Sequence, residues 1–281
     1  EQGIQVEQSP YLDYALGIRG YNYMKAVLAF KRGWFQVQDV SSMLVSEIAA
    51  PKWGDYCIDV CAAPGGKSLH LADMLHGSGH VEARDITDYK VQLMQENIER
   101  IGVINMSATL QDATVFDPES VERADILLAD EPTTALDVTI QAQVMDLIKD
   151  LQNKYQTAML LITHDMGVVA QVCDEVAVIY AGSILEYGTK EQIFDHPTHP
   201  YTIGLFNSIP SMSEDEEWLH PIEGLPPDPT DLPKGCPFSP RCKYAIEECK
   251  QKPIGVHMTK DGHQCRCCRL DLIGKEKEGK V

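Results

Sequence analysis

An acidic pair is the first feature of this sequence that suggests chemistry. Asp130 and Glu131 directly follow the apolar run ADILLA at 124–129, and a short polar turn that ends in Asp137 comes after them. Two adjacent carboxylates at the end of a buried strand are suited to the hydrolysis of a nucleoside triphosphate. An enzyme of that kind must also hold the phosphates in a glycine-rich loop, which we expect earlier in the chain.

One stretch is a candidate for this loop, CAAPGGKS at 61–68, which follows an apolar run and opens an amphipathic stretch. It departs from the phosphate-binding pattern G-x-x-x-x-G-K-[ST], because Cys61 replaces the first glycine. Lys67 is the only lysine that this loop could offer to a phosphate. The cysteine at the position of the first glycine therefore disfavours a phosphate site.

The same loop resembles the first motif of the RNA (cytosine-5)-methyltransferases, particularly the small-subunit rRNA enzymes. The resemblance includes GWFQVQDVSSMLVSEIAAPKWGDY at 33–56 and extends to about Asp125. It implies that the loop binds the methionine part of S-adenosylmethionine, that Asp85 holds the ribose hydroxyls and that Asp112 holds the adenine amino group. The loop residues so implied are Cys61, Ala62, Ala63, Pro64, Gly65, Gly66 and Lys67. Each aspartate taken alone is more typical of a turn at a strand end.

The nucleophiles that this family requires are missing from the sequence. The family ends its fourth strand with Asp-Ala-Pro-Cys, whereas this chain has Thr133 at the position of the cysteine. After the fifth strand, where the family has a second cysteine, the chain reads Thr163-His164-Asp165. A hydroxyl group without an activating base is a poor substitute for a thiolate. We therefore expect binding of the cofactor without methylation of cytosine.

From about Ile126 onward the chain resembles the ATP-binding subunits of dipeptide and oligopeptide ABC transporters. The matching stretches are ILLADEPTTALDVTIQAQVMDLI at 126–148, LLITHDMGVVAQVCDEVAVIYAGSILEYG at 160–188 and HPTHPYTIGL at 196–205. The resemblance implies that Asp130 holds the water shell of Mg²⁺, that Glu131 polarises the attacking water and that His164 contacts the γ-phosphate of ATP. It also places Asp137 in a loop that contacts a second ATPase subunit. The Ser-Gly-Gly signature that such ATPases need is absent from the sequence.

Cysteines crowd the last fifth of the chain, in and after GCPFSPRC at 235–242. Some members of the peptide-transporter family bind a [4Fe–4S] cluster in this tail, and the resemblance implies the ligands Cys236, Cys242, Cys249 and Cys265. Four thiolates are what such a cluster needs. Zinc and unligated thiols are the alternatives, because no C-x-x-C pair occurs at these four positions.

The elements that must position these residues are predicted from the hydrophobic pattern. Strands are expected over 56–60, 80–86, 107–112, 124–130 and 157–165, with helices over 67–76, 89–102 and 139–155 between them. A hairpin is expected over 175–188, with its turn at Ala181 and Gly182. This alternation predicts an α/β fold with three layers around a mostly parallel sheet, in which a Rossmann-like methyltransferase half is continued by the ATPase half. A small cysteine-rich tail follows.

Composition limits the partners. The net charge is −18, with 24 Lys and Arg against 42 Asp and Glu, so the basic footprint of a nucleic-acid-binding protein is missing. The rRNA partner that the first resemblance implies is therefore disfavoured. The first residues, EQGIQVEQSPYLDY, have neither the plan of a signal peptide nor an initiator Met, which suggests a missing upstream part. We expect a cytoplasmic protein, or one bound peripherally to the inner face of the cell membrane.

Three segments are predicted: a methyltransferase-like part at 1–125, an ATPase-like part at 126–206, and a linker with the cysteine-bearing tail at 207–281. The leading hypothesis is a hybrid that binds S-adenosylmethionine and in which both catalytic sites are incomplete. The alternative is the ATP-binding subunit of a peptide importer, with Mg-ATP as its cofactor and with membrane subunits and a second ATPase subunit as its partners. A third hypothesis is a hybrid that does not fold stably.

Overall fold

The computed structural model describes residues 3–9, 11–115, 117–118, 122–132, 138–155, 157–209, 221–228 and 231–270. The chain divides into two compact units, unit 1 at 1–172 and unit 2 at 173–281. No helix within the described ranges is long and apolar enough to cross a membrane.

Unit 1 is built on a five-stranded parallel sheet. Its strands are β3 (Tyr56–Asp59), β4 (His80–Asp85), β5 (Met106–Leu110), β6 (Ile126–Asp130) and β7 (Ala158–Ile162), in the order β5-β4-β3-β6-β7. The order reverses beside β3, so the crevice expected to bind a ligand lies at the carboxyl ends of β3 and its neighbours. A separate two-stranded sheet pairs β1 (Gln5–Gln8) with β2 (Leu16–Arg19).

Helices cover the sheet as the alternation predicts. They are α1 (Leu28–Lys31), α2 (Val40–Ala49), α3 (Gly66–Met74), α4 (Asp88–Ile101), α5 (Val138–Tyr155) and α6 (Met166–Val172), with a short 3₁₀ helix at Met24–Ala26. Thr87 caps the start of α4 and Gly102, in the left-handed region, ends it. The predicted α/β fold with a mostly parallel sheet is confirmed, whereas α1, α2 and the β1–β2 hairpin were not expected.

The core of unit 1 joins both sequence portions. Leu71 of α3, Leu75 directly after it and Met94 of α4 are fully buried together with Leu128 of β6, which lies in the transporter-like portion. β6 pairs with β3 in register, Ile58 opposite Leu127 and Asp59 opposite Leu128. β6 is therefore an integral strand of the sheet.

Unit 2 contains an antiparallel sheet. The predicted hairpin is confirmed as β8 (Glu175–Tyr180) and β9 (Ser183–Thr189), with Ala181 and Gly182 at positive φ in its turn. Two short strands, β10 (His257–Met258) and β11 (Gln264–Cys265), complete the order β10-β11-β9-β8. The helices of this unit are α7 (Lys190–Asp195), α8 (Pro200–Asn207) and α9 (Glu247–Gln251). Much of the predicted linker lies outside the described residues.

Candidate functional site

The glycine loop at 61–67 connects the carboxyl end of β3 to α3. The backbone N–H of Ala62 donates to the carbonyl of Arg84 at 3.0 Å, and that of Gly65 donates to the carbonyl of Ala62 at 2.6 Å. Gly65 has a φ of 96°, and a Cβ at this position would stand 3.4 Å from Cγ of Met94. A residue with a side chain would be strained there, so this part of the loop requires glycine.

Asp85, at the end of β4, holds the loop in place. Its Oδ2 accepts the backbone N–H of Ala63 at 3.1 Å, and its Oδ1 accepts from Lys90 Nζ at 2.9 Å and from the N–H of Ile86 at 2.8 Å. The carboxylate is buried, whereas about half of the Lys90 side chain is exposed. A carboxylate has about four acceptor positions, so three bonds leave one for a hydroxyl donor.

Asp112 follows β5 and is anchored by a local turn. Its Oδ1 accepts the backbone N–H of Thr114 at 2.9 Å and the hydroxyl of the same residue at 2.7 Å. These two hydrogen bonds hold the pKa of Asp112 below its ordinary value, so the group is ionised at neutral pH. Both contacts engage Oδ1, and Oδ2 makes neither of them.

A buried carboxylate lies at the base of the loop. Asp59 is 1% exposed and accepts the hydroxyl of Ser68 at 2.6 Å and the N–H of Cys61 at 3.3 Å. Burial raises the pKa of Asp59 to about 6. Burial, together with the negative charges of Asp59, Asp85 and Asp130, raises the pKa of Cys61 to about 11. The loop therefore stands in a negative electrostatic field.

An ion pair spans the carboxyl ends of β3 and β6. Lys67 Nζ donates to Asp130 Oδ2 at 2.6 Å, with side-chain exposures of 21% and 27%. It connects the methyltransferase-like loop to the transporter-like acid pair. The one lysine of the loop is thus already neutralised by a carboxylate.

The two residues predicted to act on ATP contact each other. Nδ1 of His164 lies 2.9 Å from Oε1 of Glu131, and both side chains are largely open to solvent. The hydrogen bond to the Glu131 carboxylate and the negative charge of that group raise the pKa of His164. Glu131 adopts a positive φ of 48°, which is uncommon for a residue with a side chain.

No cysteine occupies the second nucleophile position. Thr163 and Asp165 stand there instead, and Asp165 accepts from Gln141 Nε2 at 2.8 Å and from the N–H of Gly167 at 2.8 Å. The bond from Gln141 is the main cause of a lowered pKa for Asp165. Asp165 thus caps α6. Thr133 and Asp137 lie outside the described residues.

Five cysteines of unit 2 line one pocket. Its lining includes the thiols Cys236, Cys242, Cys249, Cys267 and Cys268 and the imidazole of His199. Cys265, in β11, is not among the lining residues. All of these cysteines are unbonded thiols. Within the part of the chain that the structure describes, no group of three or more His, Cys, Asp or Glu is arranged to hold a metal ion.

Three residues that belong to these sites were not predicted from the sequence. Lys90 pairs with Asp85, and Cys267 and Cys268 reach the thiol pocket. Lys90 lies in the first turn of α4, five residues after Asp85, and this position could have identified it as the partner of that carboxylate. The spacing of the last three cysteines could not show which of them points into the pocket.

Family comparison identifies two matches. Residues 46–181 match the family described as 16S rRNA methyltransferase RsmB/F, and residues 185–249 match the C-terminal region of the oligopeptide/dipeptide transporter family. The first match extends beyond the predicted limit at about Asp125, across β6 and β7. The chain therefore combines a methyltransferase-like part with a peptide-transporter-like part, as the sequence predicts.

Curated relatives come from the transporter side. The oligopeptide transport ATP-binding protein OppD of Haemophilus influenzae is 59% identical over 53% of this chain and 45% of its own length. The dipeptide transport ATP-binding protein DppD of Bacillus subtilis is 51% identical over 52% of this chain and 44% of its own length. The chain spans less than half of the length of these relatives.

Solved structures come from the methyltransferase side. A methyltransferase homologue from Pyrococcus horikoshii is 21% identical, with 63% of this chain and 65% of that chain covered and a TM-score of 0.48. NSun6 from the same organism is 34% identical, with 42% and 30% covered and a TM-score of 0.35. Both scores lie below 0.5, and the fold is assigned from the strand order instead.

Proposed function

We propose that unit 1 binds S-adenosylmethionine at the carboxyl ends of β3, β4 and β5, and that it neither methylates cytosine nor hydrolyses ATP. The observation that carries this proposal is the charge at the loop. Three carboxylates, Asp59, Asp85 and Asp130, surround the loop. Lys67 pairs with Asp130 and Lys90 pairs with Asp85, so the negative charge of Asp59 is left without a lysine partner. A negative field favours the sulfonium and ammonium charges of S-adenosylmethionine and opposes a triphosphate.

The residues fit the functional groups of this cofactor. Asp85, with an acceptor position left over, would accept from a ribose hydroxyl. The Oδ2 of Asp112 would accept from the adenine amino group, because an ionised carboxylate only accepts hydrogen bonds. The turn at Gly65 lets the loop backbone approach the methionine part of the cofactor closely. When bound, S-adenosylmethionine supplies an electrophilic methyl group.

Calorimetry with the Asp85→Ala variant tests this assignment. The wild-type chain should give saturable heat with S-adenosylmethionine, and Asp85→Ala should weaken that binding at least tenfold. Asp88→Ala is the matched control, because Asp88 is an exposed acid in the first turn of α4. Circular dichroism of each variant verifies that the sheet is intact. Absence of heat from the folded wild-type chain would overturn the proposal.

Methyl transfer to cytosine should be absent, because Thr133 stands where the family uses a cysteine. Cytosine C6 then lacks the thiolate that must add to it before C5 can accept the methyl group. The measurement is incorporation of tritiated methyl groups into small-subunit rRNA. Incorporation above the level without enzyme would contradict this part of the proposal.

The second candidate is the ATP-binding subunit of a peptide importer, which the contact between Glu131 and His164 favours. In that function Asp130 would hold Mg²⁺ through water, yet it is paired with Lys67. Substitution of Glu131 by Gln should change phosphate release by no more than the assay error. A clear fall in release would make ATP hydrolysis the leading function.

Partners and location follow from the choice between these functions. The importer function would place the chain at the inner face of the cell membrane, with membrane subunits and a second ATPase subunit. The methyltransferase function would involve rRNA in the cytoplasm, which the charge of −18 opposes. Both functions include the proposal that the methyltransferase-like part ends at 125 and the ATPase-like part begins at 126.

The iron–sulfur cluster of the tail stays a prediction, with the ligand set Cys236, Cys242, Cys249 and Cys265. Three of its members, Cys236, Cys242 and Cys249, line the pocket, but Cys265 does not. A cluster held only by thiols that line this pocket would need a fourth ligand other than Cys265. Anaerobic reconstitution with iron and sulfide, compared between wild type and Cys265→Ser, would test the original set. Loss of the cluster absorption in that variant would restore Cys265 as a ligand.

A further inference from the structure

Two thiols of the pocket in unit 2 stand unusually close together. Sγ of Cys249, in α9, lies 3.1 Å from Sγ of Cys268. That distance is about 1 Å longer than a disulfide bond of about 2.05 Å. The other cysteines that line the pocket are Cys236, Cys242 and Cys267.

We propose that Cys249 and Cys268 form a redox-active dithiol, which a small-molecule disulfide oxidises to an intramolecular disulfide. This site does not depend on the binding of S-adenosylmethionine by unit 1. It requires only the pocket of unit 2 and an oxidant of the disulfide class.

The backbone around Cys249 fixes one partner of the pair. Its carbonyl accepts the N–H of Cys236 at 2.8 Å, and its own N–H donates to the carbonyl of Ile246 at 3.0 Å. A Cβ on Gly235 would stand 2.1 Å from the Cys249 carbonyl oxygen, so the two backbones are in tight contact. Cys249 is also buried. Cys249 is thus suited to attack a mixed disulfide that has formed first at Cys268.

Cys268 is the accessible partner. It is partly exposed, whereas the neighbouring Cys267 is buried. An incoming disulfide therefore meets Cys268 first. Burial and the hydrogen bond with Cys249 raise the pKa of Cys268 to about 12, so the exchange is slow at neutral pH and its extent has to be read at equilibrium.

The exchange balances in two steps. The thiolate of Cys268 attacks one sulfur of the small disulfide, which forms a mixed disulfide and releases one small thiol. The sulfur of Cys249 then attacks Cys268 Sγ, which forms the Cys249–Cys268 bond and releases the second small thiol. The two protein thiols lose two electrons and two protons, and the small disulfide gains both.

The oxidised form would differ chemically from the reduced one. It removes two of the five thiols that line the pocket, so a metal centre that uses Cys249 or Cys268 as a ligand could form only in the reduced protein. It also closes the chain between 249 and 268, which includes β10 and β11. The redox state of this pair thus sets whether five or three thiols of the pocket are available as ligands.

The test uses the full chain, freed of metal with a chelator and incubated to equilibrium with excess oxidised glutathione. After acid quenching, alkylation under denaturing conditions and trypsin digestion, mass spectrometry identifies the cross-links. We expect two thiols to be lost and one cross-link, between Cys249 and Cys268. Cys268→Ser should abolish this cross-link, and Cys267→Ser, the matched control in the same pocket, should retain it.

The Cys249→Ser variant separates a resolving thiol from a bystander. It should accumulate a stable mixed disulfide with glutathione at Cys268, whereas the wild type should not. Cross-links distributed over several cysteines, or an equal yield of a Cys249 cross-link in Cys268→Ser, would overturn the proposal. So would a stable mixed disulfide at Cys268 in the wild type.

Discussion

Asp59 in unit 1 and Glu186 in unit 2 are equally buried carboxylates, and they are held in different ways. Asp59 of unit 1 accepts one hydroxyl and one backbone N–H. Glu186 of unit 2 accepts the backbone N–H groups of Thr198 and His199, at 2.6 and 2.9 Å, and Nε2 of His263 at 2.8 Å. Both carboxylates are 1% exposed, so the difference lies in their donors.

That difference separates a site from a structural anchor. Asp59 has too few donors to offset its burial, and its pKa rises to about 6. Glu186 ties β9 to the segment before α8 and, through His263, to the hairpin of β10 and β11. At the end of the parallel sheet, the negative charge of Asp59 is only partly compensated and can act on a ligand. The charge of Glu186 is compensated by hydrogen-bond donors within unit 2.

The largest effect is expected from removing the anchor. Glu186→Ala should destabilise unit 2 by about 3–5 kcal/mol, because a buried imidazole and two N–H groups lose their acceptor. Hydrogen exchange over 183–200 and 257–265 measures this loss. Glu175→Ala, on β8 of the same sheet, removes an exposed hydrogen bond to Tyr187 and should cost less than about 1 kcal/mol. Equal effects of the two substitutions would refute the distinction.

The shared core of unit 1 should give the next largest effect. Leu128 comes from the transporter-like portion, yet it is fully buried against the methyltransferase-like helices. Leu128→Ala should lower the free energy of unfolding of unit 1 by about 3 kcal/mol in urea denaturation. Its strand neighbour Leu127 is only half-buried, and Leu127→Ala should cost clearly less. A small effect at Leu128 would mean that the two portions do not share a core.

Much of unit 1 could be predicted from the sequence, because its strands contain short apolar or alternating runs and the central strands end in acids. Asp59, Asp85 and Asp130 mark three of those ends. The pairing of Lys67 with Asp130 could not be predicted, since the two residues are 63 positions apart and meet only when β6 docks beside β3. In unit 2, the position of Cys265 in a strand was not visible in the spacing of the cysteines.

The third effect is a dependence on pH that unit 1 should show through Asp59. Its folded pKa of about 6 exceeds the unfolded value of 3.8, so its contribution to stability is complete below the unfolded pKa and is lost as the pH rises through 6. This loss amounts to about 3 kcal/mol. Asp59→Asn should remove this loss. The free energy of unfolding of the variant, measured in urea, should therefore rise relative to that of the wild type between about pH 4 and pH 8. A constant difference would contradict the assignment.

The smallest effect concerns the ion pair across the crevice. Because Lys67 and Asp130 are partly exposed, solvent screens the pair, and Lys67→Met should destabilise unit 1 by no more than about 1 kcal/mol. Thermal unfolding at low and high salt measures this contribution, which should shrink as the salt concentration rises. A loss of several kcal/mol would show that the pair anchors unit 1 as Glu186 anchors unit 2.

The central claim is that the carboxylates around the loop at 61–67 select a cationic cofactor over a triphosphate. Parallel calorimetric titrations of the wild-type chain with S-adenosylmethionine and with Mg-ATP test it most directly. We expect saturable binding of S-adenosylmethionine and at least tenfold weaker binding of Mg-ATP. Tighter binding of Mg-ATP would contradict it, and the loop would then be a phosphate site despite Cys61.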